Sequence, residues 1–578
     1  MKIIIVGGVA GGMSTAARLR RLDEHAEVVI YERDPYVSFA NCGLPYHISG
    51  DIADRNKLFV VTPKDLERTL ALQVHVQHEV TGIDRSRKVV RVFDHASGRT
   101  FEDHYDKLVL APGANPVRPP LPGVNHPRIH ALRNISDMDA IKAVVDQGAF
   151  SAVVVGGGYI GLEMAEALRR RGVRVDLVER SDQLMQNLDP EMSRDLAYHM
   201  ESHGVNVHLG TNVREFRDAD GRVEVVLAGG AHHPVADVVV LAVGVRPESE
   251  LAKMAGLTIG ARGGIVVDQH MRTSDPDIYA VGDAVEVRDA ATGEMAVIPL
   301  AGLANRQGRV AADHIAGRPS AFQAVQGTSV IKVFDMTAGG TGASEKALRR
   351  AHMSYTKIYI HPNGHAGYYP GTHPMHLKLL FTPQEGRLLG AQVVGFDGVD
   401  KRIDVLATAL RAGMTVYDLE DLELAYAPPY GAAKDPVNMA GFVAANALRG
   451  DVELWYPEEY TDLPDDALLI DMRSPREYAG WHIPKAINIP VGELRQHIAD
   501  LGDRKDRPIY LYCLSGFRSY LGTRVLRQHG FQNVSNLSGG LKTFIAFHRN
   551  PLTSAQPAAP FEPHAEDRTA ESERIPVT

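Results

Sequence analysis

Short β-branched runs that end in glycine turns recur along the first half of the chain, each followed by helical spacing. Lys2 to Val6 is apolar at nearly every position, the pattern of a parallel strand buried on both faces. Gly7-Gly8-Val9-Ala10-Gly11-Gly12 follows, and Met13, Ala16, Ala17, Leu19 and Leu22 then mark the inner face of a helix. A second strand, Val28 to Tyr31, closes at Glu32 with Arg33 beside it. The same order returns with strand Ala152 to Val155, the turn Gly156-Gly157-Gly158-Tyr159-Ile160-Gly161 and a helix from Leu162 to Arg170. A strand from Val173 to Val178 then leads to Glu179.

Strand, glycine turn, helix, strand and acid form the layout that takes up a dinucleotide. The glycines admit a pyrophosphate to the helix N-terminus, and the acid accepts from ribose hydroxyls. Gly7, Gly8, Val9, Ala10, Gly11, Gly12, Glu32 and Arg33 make the first candidate cofactor set. Gly156, Gly158, Tyr159, Ile160, Gly161 and Glu179 make the second. Val9 departs from the pattern, standing where the second fingerprint glycine is expected, whereas the later turn has all three. Two such turns imply electron relay, usually between a flavin and a nicotinamide. Lys107 to Ala114, with Ala111, and Leu241 to Pro247, with Gly244, read as strands leaving the two domains. Thr273 to Asp283 reads as a strand returning Asp283 to the first domain, which is therefore discontinuous.

At 578 residues the chain holds several cores. A net charge of -9 with no basic block argues against a nucleic-acid partner. No apolar run approaches the ~18 residues that span a bilayer, so no membrane segment is expected. The N-terminus runs straight into a strand, without the shape of a signal peptide. Two distant cysteines form no disulfide framework, and a reducing, cytoplasmic setting is expected. No metal centre is assigned.

Those two cysteines carry the candidate chemistry. Cys42 lies in Ser38-Phe39-Ala40-Asn41-Cys42-Gly43-Leu44-Pro45-Tyr46, among small and turn-forming residues that make poor core. Nothing near it in sequence can pair with it. Its oxidised form is therefore a mixed disulfide, a persulfide or a sulfenic acid. Attack needs the thiolate, and a helix N-terminus beside a flavin is expected to favour that form.

On the first glycine turn, the Cys42 stretch and Leu424-Ala425-Tyr426-Ala427-Pro428-Pro429-Tyr430, residues 1 to about 445 resemble the pyridine nucleotide-disulfide oxidoreductase superfamily. Within it the likeness is to the coenzyme A-disulfide reductases, a subgroup in which Val9 is at home. The resemblance implies FAD on the first turn and NADH or NADPH on the second. Glu179 favours NADH, although Arg180 beside it tolerates a 2′-phosphate. It places Glu163 near the nicotinamide, and Arg18, Arg21, Ser38 and Asn41 around coenzyme A, held as substrate or cofactor. Tyr368 and Tyr426 would reach the cysteine site of the other subunit of a homodimer. Single-cysteine NADH oxidases and peroxidases are close neighbours, but they carry a histidine inside the first turn, where this chain has none.

Leu468 to Tyr478, Gly480 to Pro490 and Cys513-Leu514-Ser515-Gly516-Phe517-Arg518-Ser519 closely resemble a rhodanese (sulfurtransferase) domain. There the loop would wrap backbone N–H groups around the Cys513 sulfur, with Arg518 adding positive charge. Gly539-Gly540-Leu541 fits this family, while Lys542-Thr543-Phe544 lacks its usual tryptophan.

The expected fold is α/β, with two Rossmann-like domains: 1–115 with 245–321 for FAD, and 116–244 for NAD(P)H. An α+β dimerisation domain (322–445), a linker (446–458), a rhodanese α/β domain (459–550) and a disordered tail (551–578) complete it. The expected activity is FAD-dependent, NAD(P)H-driven reduction of coenzyme A disulfide, coenzyme A persulfide or polysulfide through Cys42, with sulfane sulfur carried on Cys513. Two alternatives stay open: an NADH oxidase or peroxidase cycling Cys42 through sulfenic acid, and a redox-sensing dimer that positions a sulfur carrier.

Overall fold

β1 (Lys2–Val6) is the middle strand of a five-stranded parallel sheet in the computed structural model, which describes residues 1–230, 232–502 and 505–548. The expected disordered tail, 551–578, lies outside the described residues. Ile3, Ile4 and Ile5 are fully buried, as a run apolar on both faces requires. β2 (Glu27–Glu32) and β3 (Gln73–Val76) continue the sheet on one side, and β4 (Lys107–Leu110) on the other. The helix α1 (Ala10–Leu22) follows β1. Val6 pairs with Tyr31 and with Leu110, so the strands end together at the edge where such sheets bind ligands.

The pattern repeats in a second five-stranded parallel sheet. It contains β5 (Ile129–Ala131), β6 (Ser151–Val155), β7 (Arg174–Val178), β8 (Val205–His208) and β9 (Val238–Leu241), in the order β8-β7-β6-β9-β5. The helix α3 (Tyr159–Arg170) follows β6; the short α2 (Leu44–Ser49) follows the Cys42 turn. β10 (Ile278–Ala280) returns to the first sheet and pairs with β4.

These sheets lie in one compact unit, 1–182 with 204–327, and residues 183–203 with the described residues from 328 on form a second. Three stretches group differently from the expected boundaries. Residues 183–203, read as part of the nucleotide-binding stretch 116–244, cluster with the later residues. The reason is charge: this segment, with α4 (Pro190–Ser202), supplies Asp189 and Glu191 to a lysine of the later sheet. Phe322 and Val325, assigned to the dimerisation domain, are buried in the core of the first domain. The linker 446–458 contains a strand, because Trp455 is buried and its indole donates to the Leu511 carbonyl at 3.2 Å.

In the second unit, β11 (Ser329–Val333), β12 (Met336–Gly342), β13 (Thr356–Ile360), β14 (His376–Phe381) and β15 (Leu388–Gly395) form an antiparallel sheet, ordered β11-β12-β15-β14-β13. α5 (Val399–Arg411) and α6 (Pro436–Leu448) follow. All of β14 is buried, Lys378 included. The Lys378 ammonium meets Asp189 at 2.7 Å, Glu191 at 2.5 Å and Glu345 at 2.7 Å. Lys357 binds Glu345 at 3.1 Å and also Glu458, and Tyr359 donates to Glu191 at 2.8 Å. Burial alone would raise the Glu345 carboxyl, but Lys378 and Lys357 hold it down to about 2.

A five-stranded parallel sheet closes the chain: β16 (Glu453–Trp455), β17 (Leu468–Asp471), β18 (Ile487–Asn488), β19 (Ile509–Tyr512) and β20 (Val534–Leu537), ordered β16-β20-β19-β17-β18. α7 (Phe517–Gln528) and α8 (Gly540–His548) flank it. Among the described residues no helix is long and apolar enough to cross a membrane.

Candidate functional site

Both glycine turns leave a helix start free for an anion. α1 and α3 have no capping side chain and no acid in their first turn. The helix Ile135–Asp146, by contrast, is capped by Asn134. Uncapped N–H groups at the positive end of a helix of this length suit a diphosphate. A Cβ on Gly12 would lie 1.9 Å from the Gly7 carbonyl oxygen, and one on Gly161 equally close to that of Gly156, so strand and helix meet only through glycine. Gly11 and Gly12 thus fall inside α1, whose first residue is Ala10. Val9 adopts a negative φ of -113°, which explains why no glycine is needed there.

Glu32 Oε2 accepts from Gly8 N at 2.7 Å, and Glu179 Oε2 from Gly157 N at 2.7 Å. Each acid is therefore held against its own turn, with Tyr159 and Ile160 opening α3 beyond the second. Arg33 differs from expectation. It forks onto Glu248, which Arg133 also binds, so an ion cluster occupies it. Ala111 closes the first turn: its carbonyl oxygen lies 2.2 Å from where a Gly7 Cβ would be. Gly244 has φ +103°, and its carbonyl accepts from Val117 N. Asp283 lies in a single 3₁₀ turn, Gly282–Ala284, and burial pushes its carboxyl up.

The backbone ties the Cys42 stretch to the first glycine turn. Ser38, in the left-handed region at φ +49°, donates its N–H to the Gly8 carbonyl at 2.8 Å. Phe39 then pairs with Phe59, and Asn41–Gly43 forms a 3₁₀ turn leading into α2. Cys42 is exposed, yet enough protein surrounds its sulfur that desolvation is the largest effect on it. The charges of Glu163 and Asp283 add to that effect and push the thiol further up. The expected lowering is therefore reversed among the chain's own groups, because desolvation, with two carboxylates adding to it, disfavours the thiolate.

Glu163 accepts from the Tyr46 hydroxyl at 3.5 Å and lies in a shallow pocket with Ser49, Asp51, Glu166 and Arg170. Burial, with Glu166 adding to it and the Tyr46 bond opposing it, raises its carboxyl to about 7. Above that value Glu163 is charged and disfavours the Cys42 thiolate; below it this penalty vanishes. Glu163→Gln is accordingly expected to move Cys42 ionisation to lower pH. The rate of Cys42 alkylation against pH tests this, and an unmoved profile would separate the two groups.

Arg18 and Arg21 both lie on α1, but Arg18 is paired with Asp313 at 2.7 Å, whereas Arg21 is exposed. Arg18 is thus engaged, because its partner approaches from the helix Ala301–Ile315. Asn41 is exposed, with one long contact to the Arg133 carbonyl at 3.4 Å. Tyr368 and Tyr426 are exposed and share a hydroxyl hydrogen bond of 2.7 Å.

Cys513 directly follows β19 and is buried. Its sulfur accepts from Gly516 N at 3.2 Å and Ser519 Oγ at 3.4 Å. Amides at the start of α8 fasten the loop from behind: Leu541 N donates to the Cys513 carbonyl and Lys542 N to that of Leu514. A Cβ on Gly540 would lie 2.6 Å from the Cys513 carbonyl oxygen, so this glycine is required. Arg518 forks onto Glu477 at 2.8 and 2.7 Å and holds that carboxyl down to about 2 against burial. Its charge is therefore shared with an acid. Tyr46, Glu166, Ser519 and Gly540 are absent from the sequence-derived set. Tyr46, Ser519 and Gly540 sit inside motifs that could have marked them, whereas Glu166 does not.

Family models match three consecutive stretches of the chain. Residues 1–308 match "Pyridine nucleotide-disulphide oxidoreductase", 328–435 match its dimerisation domain, and 456–546 match "Rhodanese-like domain". A coenzyme A disulfide reductase of Staphylococcus epidermidis is 35% identical over 450 residues, which cover 77% of this chain and 99% of that protein. The structure of reduced CoADR-RHD from Bacillus anthracis superposes with a TM-score of 0.92 at 44% identity, covering 94% of this chain and 98% of the other. A NAD-dependent persulfide reductase from A. fulgidus superposes at 0.88 with 38% identity, covering 95% and 100%.

Proposed function

The chain belongs to the pyridine nucleotide-disulphide oxidoreductase family and ends in a rhodanese-like domain, and on that premise we propose that it reduces sulfur–sulfur bonds of coenzyme A persulfide, coenzyme A disulfide or polysulfide through Cys42. The observation that carries this reading is a solitary exposed thiol fastened to a dinucleotide turn, with its only fellow cysteine in a sulfur-cradling loop. Such a thiol accepts sulfur only from outside.

Gly7, Gly8, Gly12, Glu32 and Asp283 would hold FAD; Gly156, Gly158, Gly161, Glu163 and Glu179 would hold NAD(P)H. Bound there, FAD supplies two-electron transfer between nicotinamide and sulfur. The Cys42 sulfur attacks the inner sulfur of coenzyme A persulfide, forms a disulfide with coenzyme A and expels HS⁻. Two electrons from NAD(P)H then cleave that disulfide, returning the Cys42 and coenzyme A thiols. In sum, persulfide, NAD(P)H and one proton give coenzyme A, H₂S and NAD(P)⁺. Glu163, titrating near neutrality, is placed to hold or release the proton. Ser38, Arg21 and Asn41 would contact coenzyme A, with Arg18 engaged by Asp313. Cys513 would bring sulfane sulfur as a persulfide. Tyr368 and Tyr426 would complete the cysteine site of a second subunit, the homodimer that a dimerisation domain favours.

Steady-state NADH oxidation with each sulfur compound, in wild type and Cys513→Ser, tests the division of labour. Turnover of coenzyme A disulfide is expected to stay unchanged, while polysulfide turnover falls at least about tenfold. Equal rates with every compound in both proteins would remove Cys513 from the reaction. Oxidation of NADH only by peroxide would replace this reading with the oxidase one.

A further inference from the structure

His199 and His203 stand four residues apart at the end of α4, so their rings share one face. Asp335 approaches that face from the turn between β11 and β12. His199 Nε2 lies 2.7 Å from Asp335 Oδ1, and His203 Nε2 lies 3.8 Å from the same oxygen. The three ligand atoms all fall within 4.8 Å of one another. A tetrahedral ion with bonds of ~2.0 Å sets its donors about 3.3 Å apart, a value these two distances bracket.

His203 Nδ1 lies 2.9 Å from the His199 carbonyl, which can only accept, so this bond puts the proton on Nδ1 and the lone pair on Nε2. His199 is 8% exposed, and its Nε2 makes no hydrogen bond despite the close carboxylate. An ordinary histidine–aspartate pair would align there. One cation satisfies both imidazole nitrogens and the carboxylate oxygen, which meets that discrepancy. Phe334 stacks on His203 at 4.1 Å, and Phe396 meets His199 edge-on at 5.7 Å, walling the site with apolar rings. Asp335, with its side chain 72% exposed, leaves one side open to solvent.

We propose that His199, His203 and Asp335 form a binding site for a divalent cation of the zinc class, water filling the remaining position. Two imidazoles four apart on a helix with one carboxylate form a donor set for Zn²⁺ rather than for Ca²⁺ or Mg²⁺. The ion fastens α4 to the β11–β12 hairpin.

Zinc binding by the metal-stripped holoenzyme, followed by competition with a chromophoric chelator, tests the site against His203→Ala and Asp335→Asn. Cys42 and Cys513 are common to all three proteins and cancel. Wild type is expected to hold one more tight zinc per chain than either variant, with affinity at this site falling at least about 100-fold in each. Zinc is also expected to raise the melting temperature of wild type more than that of the variants, with NADH oxidation unchanged. Equal zinc stoichiometry and equal thermal shifts in all three proteins would overturn the proposal.

Discussion

Replacing Cys42 with serine is expected to lower NAD(P)H-driven turnover of coenzyme A disulfide, coenzyme A persulfide and polysulfide by at least about 1,000-fold, the scale of losing a covalent nucleophile. A hydroxyl is far less ionised than a thiol at neutral pH and forms no disulfide, so the first bond of the reaction cannot be made. Flavin content should not change, because the strand, glycine turn and acid that would hold it are built without the side chain. Persulfide formation on Cys513, read by mass, should also persist. A Cys42→Ser protein that still reduced coenzyme A disulfide at the wild-type rate would end the proposal. Retained peroxide reduction alone would not rescue the oxidase alternative, since that route runs through the same sulfur.

The second large effect concerns stability. Lys378→Met is expected to destabilise the second unit by about 3–5 kcal/mol, because it strands Asp189, Glu191 and Glu345 together in the core without their shared cation. For a unit of this size that is a fall in melting temperature of roughly 10 °C. The direction with pH follows from the charges. In wild type Glu345 is held down to about 2, so its contribution is present above the ordinary carboxylate range and is lost only in acid. The variant lacks the Lys378 charge that holds Glu345 down, so it forfeits part of this contribution, and its deficit against wild type should be larger at neutral pH than in acid. A Lys378→Met melting temperature within a degree or two of wild type would show that the cluster matters little.

Much of the reductase half was legible because its constraints are local. A glycine that must touch a carbonyl, as Gly12 touches Gly7, leaves a mark at a fixed spacing, and so does an acid at a strand end. The cradle of Cys513 was legible for the same reason. What stayed hidden depends on distant partners. Arg18 and Arg21 look alike in sequence, but Asp313 occupies one and not the other. Arg33 was read beside the acid of the first turn, and its side chain pairs with Glu248, 215 residues away. The Cys42 thiol is raised first by the protein packed around it and then by Glu163 and Asp283, each more than a hundred residues away, so no local pattern could state it. Trp455 was assigned to a linker because three residues are too few for a strand pattern to show.

The segment 183–203 also bears on how the protein can be divided. The chain passes from one compact unit to the other at 182/183, back at 203/204 and across again at 327/328, so no single cut yields two self-sufficient halves. A fragment starting at 328 would keep Lys378 but lose Asp189 and Glu191, two of its three counter-ions, and an N-terminal fragment ending at 327 would carry those acids with no lysine to meet. Fusion of the rhodanese-like domain to the oxidoreductase is thus not a simple bead-on-string arrangement. Moving the whole second unit onto another enzyme would have to bring along a helix encoded some hundred and thirty residues before residue 328, or redesign the charged core that helix completes.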